Sequence, residues 1–205
     1  MNELIAVAAI TLLAVISPGP DFAMVTRTSY THGRRSGLLA AFGIGCGVQV
    51  HVCYTVFGVA LLITHSPVLF MGMKLLGAGY LVYLGWKSLT SHSSLELDVS
   101  KGTSPSAGQS FSLGFFTNAL NPKTMLFVVA TYSQVVQNTP SWSANVAYGL
   151  FMSAAHWIWF SLVALFFSTE ALRQRLLARQ GIIDKVIGSA LIGLGVMLVL
   201  PGVGR

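Results

Sequence analysis

Two charged side chains of this sequence lie in apolar stretches that proline interrupts, and each stands beside a proline. Asp21 ends the run Ser17-Pro18-Gly19-Pro20-Asp21, and Lys123 ends Asn121-Pro122-Lys123. Proline has no N–H, so Pro18 leaves the carbonyl of Ala14 without its helical donor. Pro20 does the same to Ile16, and Pro122 to Asn118. Ser17 and Asn121 precede their prolines as N-caps with proline at the first helical position would. The pattern predicts a helix that stops and restarts at each place, with fresh amide N–H groups that attract anions. The chemistry available is recognition of opposite charges: Asp21 can hold a cation, while Lys123 and the helix-start amides can hold an anion. Two other readings stand beside it, a structural Asp21–Lys123 pair and prolines that are mere packing kinks.

Few other polar groups share these apolar surroundings. Asn118 belongs to the second broken stretch and is a polar lining residue by position. Gln49 and His51 point about 200° apart around a helix, so at most one of them lines the same cavity. His156 is flanked by Ala155 and Trp157. Each histidine reads as an interhelical hydrogen-bonding group or as a proton relay. Cys46 and Cys53 lie about 10 Å apart along a helix, too far for a disulfide. With the histidines they lack zinc spacing, so no metal is expected. No glycine-rich phosphate loop follows a strand, and no nucleophile has an orienting partner. The expectation is a protein without cofactor that is not an enzyme.

The elements that must position these residues follow from composition. Of 205 residues 54% are hydrophobic and 9% charged, with a mean hydropathy of +0.71; a soluble domain carries about 25% charged residues. The net charge of +6 sits in short stretches between apolar runs, as in cytoplasmic loops of membrane proteins, so nucleic acid is not an expected partner. Six apolar runs, 4–25, 38–63, 68–86, 111–136, 144–167 and 186–203, can each cross about 30 Å of hydrocarbon. They are too long for barrel strands. The first lacks a basic leader and a cleavage site, and reads as a retained helix.

The predicted fold is an all-α integral membrane protein with six transmembrane helices, the first and fourth broken at proline. It forms one transmembrane domain, 1–205, with halves of about 1–89 and 111–205 around a polar cytoplasmic linker of about 90–110. Three spans per half is odd, so equivalent halves insert upside down, as two inverted three-helix repeats. A second polar stretch, 169–185, suits an amphipathic surface helix. Nine basic residues, Arg27, Arg34, Arg35, Lys87, Lys101, Arg173, Arg175, Arg179 and Lys185, fall on alternate connections. They place both termini outside the cytoplasm. Trp86 and Trp142 suit the two interfaces, and Gly43, Gly47, Gly77 and Gly79 suit close helix contacts.

At these residues the chain resembles the lysine-exporter/homoserine–threonine-resistance (LysE/RhtB) family of bacterial amino-acid exporters. The resemblance covers nearly the whole chain and rests on Ser17-Pro18-Gly19-Pro20-Asp21 and Asn118-Ala119-Leu120-Asn121-Pro122-Lys123. Lys74-Leu75-Leu76-Gly77-Ala78-Gly79-Tyr80 and the run 188–195 support it, while Asp21-Phe22 and Gly43-Ile44-Gly45-Cys46-Gly47 look most like the threonine-exporter branch. It implies a bacterial inner-membrane exporter of small neutral amino acids, threonine- or homoserine-like, driven by the proton-motive force. The expected partners are then the amino acid, protons and the bilayer, with a homo-oligomer left open. Asp21 would take the substrate ammonium, and Lys123 with the half-helix amides its carboxylate. A passive channel for zwitterions is the alternative. A thiol-redox electron carrier is disfavoured, because it needs two cysteines that can meet.

Overall fold

A computed structural model describes residues 2–90, 105–135, 141–169, 181–182, 185–193 and 195–196. The described residues outside turns are helical: α1 (Asn2–Ile16), α2 (Pro20–His65), α3 (Pro67–Thr90), α4 (Ala107–Ala119), α5 (Pro122–Val135) and α6 (Trp142–Phe167). Residues 185–193 form a seventh helical stretch. The proline breaks divide two of the apolar runs into α1 plus the start of α2, and α4 plus α5. Each of α1 and α4, at 15 and 13 residues, is too short to cross a bilayer unaided. Pro20–Gly58 and Trp142–Phe167 each contain an 18-residue stretch apolar enough to cross one, with mean hydropathies of 1.5 and 1.8.

The first polar connection is shorter than its arginines suggest. Helix continues to His32 and resumes at Arg34, with only Gly33 between, at φ 82° and ψ 175°. That conformation excludes a Cβ, and glycine supplies it without one. The limbs 20–32 and 34–65 fold back on each other there. A Cβ on Gly37 would sit 2.0 Å from Ser29 Oγ, whereas eight residues of straight helix would separate them by about 12 Å. The linker is also shorter than 90–110. Helix α4 starts at Ala107 because Ser106 and Gln109 form a reciprocal capping box, with contacts of 3.2 and 2.8 Å. Most of that linker, most of the stretch 169–185 and the end of the sixth run lie outside the described residues.

The second limb of α2 is wedged between α4 and α6, and α3 packs on α5. Glycines set these distances. A Cβ on Gly43 would lie 2.2 Å from Phe111 O, and one on Gly114 1.9 Å from Ala40 O, so α2 and α4 touch backbone to backbone. Gly77 packs on Ala130, whereas among the described residues nothing lies within 4 Å of a Cβ on Gly79, and no contact of the expected kind forms there. The residue faces outward because Gly77 occupies the crossing. The core joins Val7, Ile10, Val48, Leu81, Phe127, Tyr132, Met152 and Leu191, from six of these helical stretches, α4 being the exception. A second cluster unites Val15, Val25, Ile44, Phe160 and Phe167. Large apolar side chains such as Ile5, Leu76, Phe116, Leu120 and Ile158 are exposed, as lipid contact allows.

These contacts predict opposite outcomes for two alanines. Gly114→Ala forces backbone apart and should lower unfolding stability in detergent by about 1–3 kcal/mol. Gly79→Ala meets open space and should raise it by about 0.5–1 kcal/mol. Equal melting temperatures for the two variants would contradict the close α2–α4 crossing.

Candidate functional site

The second break forms as its sequence predicts. Helix α4 ends at Leu120, whose N–H reaches Phe116 O, and Asn121 N–H turns back to Asn118 O at 2.8 Å. Asn121 then caps α5: its Oδ1 accepts Lys123 N–H at 2.9 Å and its carbonyl accepts Met125 N–H at 3.0 Å. Pro122 is therefore the first helical residue and Lys123 the second.

The first break restarts two residues later than expected. Ser17 N–H still bonds Leu13 O at 3.1 Å, so Ser17 closes α1 rather than capping the next helix. Ala23 N–H bonds Gly19 O at 3.0 Å, which makes Gly19 the cap, Pro20 the first helical residue and Asp21 the second. The two breaks thus share one pattern, cap–proline–charge, with opposite charges.

Each charge reaches across to the other break. Lys123 Nζ donates to the carbonyls of Ser17 and of Pro18, the latter at 3.2 Å. Those carbonyls end α1, where the helix dipole favours a cation. A Cβ on Gly19 would lie 3.1 Å from Lys123 Cδ, so glycine there makes room for the lysine stem. Asp21 is 5% exposed, and its Oδ2 accepts from Asn118 Nδ2 at 2.8 Å, Asn121 Nδ2 at 3.0 Å and Thr124 Oγ1 at 3.4 Å. Asp21 Oδ1 and Asn118 Oδ1 are buried without a hydrogen-bond partner among the described residues.

A cavity of about 20 Å³ lies where the breaks meet. Ser17, Gly19, Asp21, Asn121, Lys123, Thr124 and His156 supply its polar wall, and Ala14, Val15, Phe22, Phe127 and Phe160 the apolar remainder. It has room for about one water molecule.

Of the remaining predicted residues, His156 lines this cavity, while His51 and Gln49 lie around it. His51 Nε2 bonds Asn118 O at 2.8 Å, the carbonyl that Pro122 deprives of a helical donor. Its Nδ1 pairs with Tyr54 OH at 2.6 Å. Gln49 turns the other way, donating to Gly149 O at 3.0 Å and Ser153 Oγ at 2.5 Å on α6. Buried His156 donates from Nδ1 to Met152 O at 2.8 Å within α6. Pro20 and Pro122 are exposed and act through the backbone alone. Thr124 is the polar residue that sequence reasoning missed. Its signal was available, since three residues after a helix cap place it on the cap's own face. Cys46 and Cys53 are both free, on α2. No cluster of metal-ligating side chains occurs among the described residues.

The chain is 27% identical over 199 residues to the threonine efflux protein of Escherichia coli K12, covering 95% of this chain and 96% of the relative. It is equally similar, at 27% over 194 residues, to the uncharacterized membrane protein YahN of the same organism, covering 94% and 86%. The uncharacterized membrane protein YrhP of Bacillus subtilis is 28% identical over 207 residues, covering 96% and 98%. No solved structure matches the chain significantly. The LysE type translocator family matches residues 12–202, which include both breaks and every residue of the cavity wall. The chain therefore belongs to the LysE type translocator family, and is a membrane transporter rather than an enzyme.

Proposed function

We propose that the protein exports a small neutral amino acid, threonine- or homoserine-like, across a bacterial inner membrane in exchange for protons. One observation carries this reading: two helix breaks, about 100 residues apart in sequence, bring a carboxylate and an ammonium to one buried cavity. A free amino acid is a zwitterion, and these groups are its complement. Asp21 Oδ2 is already held by neutral donors, which leaves Oδ1 for the substrate ammonium. Lys123 and the helix-start amides at Asp21 and Phe22 suit the carboxylate. Ser17, Pro18, Gly19, Pro20, Asn118, Asn121 and Pro122 build the two breaks, and Thr124 joins them. The threonine efflux relatives supply the substrate class.

The cavity is too small for an amino acid, so substrate must enter a more open form. Alternating access about the two breaks is the motion this requires. In it, the halves 1–89 and 111–205 act as inverted three-helix repeats, and the matching cap–proline–charge patterns at Asp21 and Lys123 support that symmetry. His51 and His156 are the further candidates for carrying protons, and a homo-oligomer fits the scheme equally well.

Efflux is tested in an exporter-deficient bacterial host loaded with amino acids through peptides. Faster release of threonine or homoserine than from empty-vector cells, uphill and abolished by an uncoupler, is the expected result. Release that only follows the gradient and ignores the uncoupler would identify a channel. Orientation has its own test. The positive-inside arrangement places both termini outside and residue 94 in the cytoplasm, so a Ser94→Cys variant should resist an impermeant thiol reagent in intact cells. Efficient labelling would invert the topology.

A further inference from the structure

Away from the cavity, a groove of about 670 Å³ opens on the outer surface between α2 and α6. Arg34 and Arg35 form one end of it, at the start of the second limb of α2. Leu38, Leu39 and Phe42 continue the same helical stripe, and Trp157 and Ser161 form the opposite wall on α6. Phe42 and Trp157 meet edge to face at 5.7 Å, yet remain 47% and 48% exposed. The helices touch beneath them, where a Cβ on Gly45 would lie 3.0 Å from Trp157 Cβ. Both arginines are exposed, and neither has a hydrogen-bond or ion-pair partner among the described residues.

We propose that this groove binds one anionic phospholipid, with its phosphate on Arg34 and Arg35 and an acyl chain along Leu38, Leu39, Phe42 and Trp157. Depth and charge both argue for it. No charged residue follows Arg35 until Lys74, so the two guanidinia stand at the edge of the hydrocarbon with an apolar trough running inward. From Arg35 to Phe42 the stripe is about 10 Å long, the distance from a phosphate into the upper acyl chain. Guanidinium binds phosphate through paired hydrogen bonds, and neither arginine has another partner among the described residues. A zwitterionic lipid would fill the same trough but bring its own cation to an already cationic end.

Native mass spectrometry of the purified full chain in detergent tests this, with dioleoylphosphatidylglycerol and dioleoylphosphatidylcholine as the two probes. One phosphatidylglycerol should be retained, at a lipid concentration about tenfold to thirtyfold lower than phosphatidylcholine requires. Arg34→Gln/Arg35→Gln should remove that preference, and Arg34→Lys/Arg35→Lys should keep part of it. Arg27→Gln, exposed on the first limb and outside the groove, should keep it whole. Equal retention of the two lipids by the unaltered protein would overturn the proposal, as would an undiminished preference in the double glutamine variant. A third contrary result is efficient disulfide cross-linking between Leu39→Cys copies in liposomes, in a background without Cys46 and Cys53. That would assign the groove to a second copy of the chain.

Discussion

An Asp21→Asn variant is expected to insert at normal abundance and to lose uphill efflux altogether. The substitution is nearly isosteric. An amide oxygen in place of Oδ2 can still accept from Asn118, Asn121 and Thr124, so stability should change by no more than about 2 kcal/mol. What disappears is the negative charge for a substrate ammonium and the proton that a coupled exporter must exchange. Both losses fall on transport alone. Asp21→Glu restores the charge on a longer arm inside a cavity of about 20 Å³, and should recover part of the rate. Efflux from peptide-loaded cells, normalised to protein in the membrane, is the measurement. Undiminished export against a gradient by the asparagine variant would remove Asp21 as both coupling group and ammonium ligand. His51 and His156 would then be the next residues to substitute.

Lys123→Met should lower the efflux rate by about tenfold to a hundredfold, and also weaken the fold. The methionine fills the space of the lysine stem but cannot donate. Two charge-assisted hydrogen bonds, to the carbonyls of Ser17 and Pro18, are lost, each worth about 1.5–3 kcal/mol. If half of that sum serves to hold the transporting conformation, the rate falls by about one to two powers of ten. The end of α1 should then fray. Hydrogen exchange at Leu13 to Ser17 in detergent would report it directly, whereas exchange at the distant α2–α4 crossing should stay unchanged. A variant that exports normally while α1 frays would make Lys123 a structural clamp only.

The helical character of the apolar runs, where described, and both helix breaks were legible in the sequence because their signals are local. A span is a count of consecutive apolar residues, and a break is a missing N–H four residues from a carbonyl. The cap at Asn121 was legible for the same reason. The capping box of Ser106 and Gln109 was equally local, though it was read as part of a linker. At the first break local rules place the restart at Pro18 with Ser17 as its cap, whereas the helix begins at Pro20. Packing decides the register: Lys123, from a helix more than 100 residues away, occupies the carbonyls of Ser17 and Pro18 and leaves Gly19 to cap.

Partner choice was beyond reach in the same way. Helical spacing showed that Gln49 and His51 diverge, but not that His51 would take the carbonyl Pro122 frees while Gln49 turns to α6. Nor did it separate Gly77, in contact with Ala130, from Gly79, which meets nothing within 4 Å among the described residues. The hairpin at Gly33 and the groove between α2 and α6 belong to this class too. A helix's own hydrogen bonds span four residues, so the chain encodes its segments at short range. Which faces meet depends on interlocking surfaces summed over distant segments, and the meeting of Asp21 and Lys123 at one cavity is a product of that sum.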